Sequence, residues 1–154
     1  IALILCLNKW DLIQEKQKTF NKLLSRLNRS LPNMTHSKIL KTSGKLGLGI
    51  DNIFEVAIEV YNKWNRRLQT SALNNWFGKV LEEHPPPMSG GKRIKLQYIS
   101  QVKSRPPTFI IFCNNPDGLP DSYIRYLTSK LRENFNFEGV PLRINLRKKK
   151  NPYV

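Results

Sequence analysis

An unbroken apolar run, Ala2–Leu7, stops at Asn8 and is followed by apolar residues at helical spacing, Phe20, Leu23, Leu24, Leu27 and Leu31, up to Pro32. A short continuous run of this kind reads as a buried strand of a parallel sheet. The proline ends the helix behind it. The pattern then repeats. Lys38–Thr42 is a weaker strand, Ser43–Gly49 a glycine-rich turn, and Ile50, Ile53, Phe54, Ala57, Ile58, Tyr61, Trp64 and Leu68 line one face of a second helix. Strand–helix–strand–helix is the grammar of an α/β sheet with right-handed crossovers. Two strands do not complete such a sheet, so residues 1–68 read as the C-terminal end of one. A chain that opens mid-strand, without methionine, reads as a piece of something longer.

After Leu68 the grammar changes. Thr70 or Ser71 is placed to cap a helix with the face Leu73, Trp76, Phe77, Val80 and Leu81. His84-Pro85-Pro86-Pro87 ends it and Ser89-Gly90-Gly91 turns the chain. Lys92–Val102 alternates, with Ile94, Leu96 and Tyr98 against Lys95 and Gln97, as a half-exposed strand, and Phe109–Cys113 is a more buried one. Pro120 opens a helix carrying Tyr123, Ile124, Leu127, Leu131 and Phe135. Leu142, Ile144 and Leu146 alternate with Arg143, Asn145 and Arg147 as an edge strand. The order α-β-β-α-β over 69–154 predicts a small α+β sheet with helices on one face. Alone, residues 1–68 should be marginally stable and 69–154 the better-behaved unit.

The 154 residues are 40% hydrophobic and 24% charged, which is ordinary globular usage. No apolar stretch approaches the roughly 18 residues needed to span a membrane, and no membrane partner is expected. The two cysteines, Cys6 and Cys113, sit in apolar runs and read as buried, reduced thiols of a cytoplasmic protein. They exclude a disulfide framework and a cysteine-based zinc cluster. His36 and His84 are far apart without ligand partners, so no metal site is expected. Charge separates this chain from most: 26 Lys+Arg against 11 Asp+Glu, a net +15. The residues to Leu68 hold 12 basic and 5 acidic groups and the rest 14 and 6, so both parts carry the excess. Such a balance attracts phosphate polymers through counterion release.

Two loops carry chemistry. Asn8-Lys9-Trp10-Asp11 follows the first strand, and the carboxyl ends of parallel strands are where α/β sheets bind ligands. A carboxylate there can accept both N1–H and the exocyclic amine of guanine, a pair of donors that adenine lacks. The Lys9 stem can lie along the purine and Asn8 can tie neighbouring loops together. Ser43-Gly44-Lys45 follows the second strand, where the backbone N–H of Gly44 or Lys45 can meet the purine O6. Trp10 reads as a packing residue. Trp64 and Trp76 read as core, and Glu82-Glu83 form no acid–base pair.

These loops resemble the NKxD and SAK-type elements of translation-factor-class GTPases. His84-Pro85-Pro86-Pro87, Arg105-Pro106-Pro107, Leu119-Pro120-Asp121-Ser122-Tyr123 and Asn151-Pro152-Tyr153 resemble the C-terminal KH-like domain of the bacterial double-GTPase family known as Der or EngA. The resemblance covers essentially the whole chain: the end of the second GTPase domain in 1–68 and the KH-like domain in 69–154. It implies an incomplete P-loop GTPase fold followed by a KH-like module. It also implies GTP hydrolysis coupled to assembly of the large ribosomal subunit. GTP or GDP would be read by Asn8, Lys9, Asp11, Ser43, Gly44 and Lys45, with Mg²⁺ held by the missing N-terminal part. The implied partners are the large subunit or its rRNA and the remaining GTPase domains of the same protein. Gly44 stands where the family has alanine, which should loosen the loop without removing its backbone contact.

The sequence contains no G-x-x-x-x-G-K-[ST], no D-x-x-G and no threonine-bearing switch segment ahead of Asn8. Phosphoryl transfer needs that machinery. No catalytic residue is therefore assigned, and this chain alone should not hydrolyse GTP. Its one G-x-x-G, Gly44–Gly47, lies in the guanine loop, so a KH-type clamp on single strands is not expected. RNA contact is expected instead through basic clusters: Lys92, Arg93 and Lys95 on one exposed strand, and Arg143, Arg147, Lys148, Lys149 and Lys150 on another strand and its tail. The alternative is a free-standing basic RNA- or ribosome-binding module whose nucleotide fold is vestigial.

Overall fold

The computed structural model describes residues 2–30 and 36–148. Leu31, Pro32, Lys149, Lys150 and Asn151-Pro152-Tyr153 lie outside the described residues. The chain is a mixed α/β protein that divides into two compact units. One holds the described residues up to Trp64 together with Phe137–Pro141. The other holds Asn65–Asn136 together with the described residues from Leu142 on.

In the first unit, β1 (Ile4–Leu7) leads through a 3₁₀ turn, Trp10–Leu12, into α1 (Lys16–Ser30), then β2 (Lys38–Lys41) and α2 (Asp51–Asn65). β1 and β2 pair in parallel, Ile4 opposite Lys38 and Leu7 opposite Lys41. The fully buried first strand expected above is corrected to a half-buried one with Cys6 exposed. Among the described residues β1 has a strand neighbour only in β2, so it is not enclosed on both edges. A groove of about 530 Å³ lies between β1 and α1, lined by Leu5, Cys6, Leu7, Phe20, Leu24 and Leu27 among others.

α2 also turns a different face inward from the one its sequence suggests. Val60 is buried, whereas Phe54, Ile58 and Tyr61 are 72%, 62% and 52% exposed. The reason lies in Phe137–Pro141, which packs on this helix. A Cβ on Gly139 would stand 3.1 Å from Val60 Cγ2 and 3.2 Å from Lys38 Cγ, and its φ of +79° suits glycine. Gly139 N–H donates to His36 O at 2.7 Å, and Phe137 and Val140 are buried. Lys38 Nζ reaches Glu138 at 3.1 Å and Glu59 at 3.8 Å. Glu59 is also held by Lys63 at 2.6 Å, and that bonded ammonium, with Lys38, draws its carboxyl below the usual carboxylate range.

The second unit runs α3 (Thr70–Glu83), β3 (Met88–Ser89), β4 (Lys92–Arg93), β5 (Leu96–Ser104), β6 (Pro107–Cys113), α4 (Asp121–Asn134) and β7 (Arg143–Lys148). The sheet order is β5-β6-β7, with β6 antiparallel to β5 and parallel to β7. Leu73, Phe77 and Val80 of α3 and Tyr123, Leu127 and Leu131 of α4 are buried with Ile99, Phe109 and Ile111 of the sheet. Thr70 is the first helical residue and does not cap α3; Gln69 holds the N-cap position without a side-chain bond. At the other end of α3, the Tyr123 hydroxyl donates to His84 O, and burial pushes its pKa up to about 12.

The single strand expected over Lys92–Val102 is two. Gly90 and Gly91, with φ of +55° and +73°, fold Lys92–Arg93 back on Met88–Ser89 as a small hairpin. Asn114 then holds the connection to β5. Its Oδ1 accepts Lys95 N–H at 2.9 Å and its Nδ2 donates to Arg93 O at 3.2 Å. Two polar side chains secure β5 to the helices and linker. Asn74 of α3 bonds both backbone groups of Ile99: Nδ2 donates to its carbonyl at 2.9 Å and Oδ1 accepts its N–H at 3.0 Å. Buried Gln101 accepts Leu68 N–H at 2.8 Å and donates to Arg66 O at 2.9 Å.

Candidate functional site

Both sequence-predicted loops leave the carboxyl ends of adjacent parallel strands, and short bonds tie them together. Thr42 N–H donates to Leu7 O and Trp10 N–H to Thr42 O, each at 3.0 Å, so the second strand's exit is clasped by the first loop. Asn8 Oδ1 accepts Gly44 N–H at 3.0 Å. Buried Ser43 shapes the second loop: its N–H donates to Leu48 O at 2.9 Å and its hydroxyl accepts Leu46 N–H at 3.2 Å. Lys9 adopts the left-handed conformation, φ +57°, at the sharp turn before the 3₁₀ segment that carries Asp11. Lys9, Gly44 and Lys45 are exposed and Asp11 is half-buried.

Gly44 N–H is engaged by Asn8, and Lys45 N–H is the next backbone donor along the loop. Trp10 packs as its place in the sequence suggests, and Lys41 joins it as a support residue that the sequence did not single out. Trp10 meets Phe20 edge-on, centroids 6.2 Å apart, and Lys41 Nζ sits 4.1 Å from the Phe20 centroid and 5.3 Å from that of Trp10. This cation–π cluster braces the first loop against α1. The signal in sequence was an aromatic at the variable position of the first motif.

Gly44 is not in the left-handed region, and a Cβ there would meet Asn8 Oδ1 at 3.8 Å, an ordinary contact. Gly44→Ala should therefore raise stability by about 0.4–1 kcal/mol by restricting the unfolded chain. A thermal melt of the 154-residue chain checks this, and a lowered midpoint refutes it.

The basic residues are distributed differently from the two clusters expected. Lys92 and Arg93 lie in the β3–β4 hairpin and Lys95 in the connection after it, not on the three-stranded sheet, because the glycine turn and Asn114 separate them from β5. Register nevertheless brings the groups to one end of the sheet. Leu96, Cys113 and Lys148 form one row across the three strands, so Lys95 and Lys148 lie at the same end of the sheet. Cys113 in that row is buried, and burial pushes its thiol pKa up. Arg147 lies one row in, and Arg143 is at the far end, opposite Thr108.

A β-bulge between Leu96 and Tyr98 reverses the alternation expected for this strand. Leu96 and Ile99 point into the core, while Tyr98 joins the opposite face. There it stacks on Phe112, centroids 4.5 Å apart and planes 12° apart. Among the described residues no helix is long and apolar enough to cross a membrane, and no three His, Cys, Asp or Glu side chains converge as a metal site.

Residues 67–147 match the family model described as the KH-domain-like C-terminal domain of EngA bacterial GTPase enzymes. Proteins named GTPase Der align along nearly the entire chain. That of Bradyrhizobium sp. (strain ORS 278) is 44% identical over 153 residues, 99% of this chain and 34% of the relative. That of Cereibacter sphaeroides (strain ATCC 17025 / ATH 2.4.3) is 43% identical, covering 99% and 32%, and that of Ruegeria sp. (strain TM1040) 44%, covering 99% and 31%. The chain spans about a third of the length of these curated relatives.

Proposed function

Because the chain belongs to the EngA family of bacterial GTPases through its KH-domain-like region, we propose that it supplies two parts of a ribosome-assembly GTPase: the guanine-reading loops and an RNA-facing module. The observation that carries the first part is the Asn8–Gly44 bond, which holds two loops from neighbouring strands as one site. The Asp11 carboxylate accepts guanine N1–H and the exocyclic amine, the Lys9 stem covers one purine face, and Lys45 N–H donates to O6. Asn8 and Ser43 keep the two loops in register. The phosphates and Mg²⁺ would be held by segments of the full-length protein outside these loops, where the ion would offset phosphate charge.

The second part rests on charge. The excess of basic residues is shared by both portions of the chain, and the second unit collects Lys92, Arg93, Lys95, Arg147 and Lys148 toward one end of its sheet. Its partner is rRNA of the large subunit, bound chiefly through phosphates. The even spread of positive charge also favours a second reading, a basic RNA-binding module in which the nucleotide loops are idle.

Competition binding separates the two. In the full-length protein, GDP and not ADP should displace a fluorescent guanine nucleotide, and Asp11→Asn should remove one such site. The 154-residue chain should bind rRNA with an affinity that falls steeply with salt. Salt-dependent RNA binding beside a full-length protein whose guanine-nucleotide sites ignore Asp11→Asn establishes the second reading and removes the first.

A further inference from the structure

We propose that the Tyr98 corner of the β5-β6-β7 sheet, on the face turned away from the core, is a stacking platform for unpaired RNA bases, an inference that rests on the RNA-facing reading of this unit; farther along that face Thr108 and Ile110 of the central strand are buried. Register places Tyr98, Phe112 and Arg147 side by side in one row across the three strands, on the face turned away from Ile99, Phe109 and Ile111 of the core. Tyr98 and Phe112 are stacked nearly parallel, and Tyr98, on an edge strand, is 42% exposed. The ring pair thus has a free π-face at Tyr98 and a guanidinium-bearing neighbour at Phe112.

Charge selects the occupant. A second bulge, between Gln101 and Lys103, sets Lys103 opposite Thr108 in the row that also contains Arg143. Basic side chains therefore stand at both ends of the face: Arg147 beside the rings, Lys103 and Arg143 at the far end. From Lys92 to Cys113, and from Arg143 to Lys148, there is not one Asp or Glu. A hydrophobic protein partner would need no such one-sided charge. A single RNA strand uses both features, since bases stack on aromatic rings in a sequence-tolerant way while phosphates meet cations. A duplex hides its bases from the rings and can use only the cations.

The test uses the 154-residue chain and a 12-nucleotide oligoadenylate carrying 2-aminopurine, read by fluorescence and titrated at several salt concentrations. Binding should quench the probe. Tyr98→Ala should weaken binding about 10-fold with the salt slope unchanged, since stacking and not phosphate contact is lost. Tyr98→Phe should restore affinity. Arg147→Ala should weaken binding and lower the salt slope by about one. Tyr98 is surface-exposed, so its variants report on the face and not on folding; circular dichroism checks this. Salt-dependent binding that ignores Tyr98→Ala overturns the platform and leaves the RNA-facing reading intact. No binding to any RNA, single- or double-stranded, at low salt overturns both.

Discussion

Asp11→Asn in the full-length protein is expected to reduce GDP affinity at the site it lines by about 100-fold or more and to turn that site's preference toward xanthosine diphosphate. The carboxylate accepts two hydrogen bonds from guanine, and bonds to a charged group are worth about 1.5–3 kcal/mol each. An asparagine amide presents one acceptor and one donor. The donor then faces the exocyclic amine of guanine, a repulsive pairing, but suits the carbonyl that xanthine has there. Asp11 is half-buried on its 3₁₀ turn, where Trp10 and Lys41 fix the backbone without bonding the carboxylate, so the exchange should leave the loop in place. Isothermal titration with GDP and XDP decides it. Unchanged GDP affinity, with no gain for XDP, would dismiss Asp11 as the base reader.

Asn74→Ala should destabilise the chain by about 3 kcal/mol. The Asn74 amide acts as a one-residue strand: it satisfies both the N–H and the carbonyl of Ile99, a residue with no exposed surface, on the edge of β5 away from β6. Removing it strands two buried backbone groups, each costing about 1–3 kcal/mol. In a unit of this size each kcal/mol lowers the midpoint by about 4–8 °C, so a fall of more than about 10 °C is expected by differential scanning calorimetry. Asn74→Asp keeps the acceptor, loses the donor and should fall between. A shift below about 2 °C for Asn74→Ala would mean that water reaches Ile99.

What the sequence revealed follows from which forces are local. The placement of Asn8, Lys9 and Asp11, and of the loop at Ser43–Lys45, at the ends of parallel strands was legible because strand ends and glycine turns are written in consecutive residues. Their bond through Asn8 Oδ1 was anticipated only as a tie between loops, since which donor it takes depends on coordinates. The phase of β5 was not legible. One bulged residue moves Tyr98 to the other face, and nothing in the alternation of Ile94, Leu96 and Tyr98 announces it. The inward face of α2 was misread for a different reason. Phe54, Ile58 and Tyr61 carry the helical period, yet the partner that selects Val60 is Gly139, some eighty residues along the chain. The cysteines divide in the same way. Cys113 lies on a central strand and is buried, whereas Cys6 sits on a strand paired on one edge and is exposed.

The return of Phe137–Pro141 to the first unit has a consequence for how this molecule can be inherited and rebuilt. The backbone passes between units at Trp64–Asn65, again at Asn136–Phe137 and a third time at Pro141–Leu142. A recombination event with one breakpoint after residue 68 would carry Phe137–Pro141 away from the rest of the first unit, parting Gly139 from Val60 and leaving that segment without its unit in the other product. Neither unit can be grafted elsewhere by a single junction. Shuffling would act on the pair as one indivisible cassette, and a chimera that exchanges the second unit needs all three seams rewritten together.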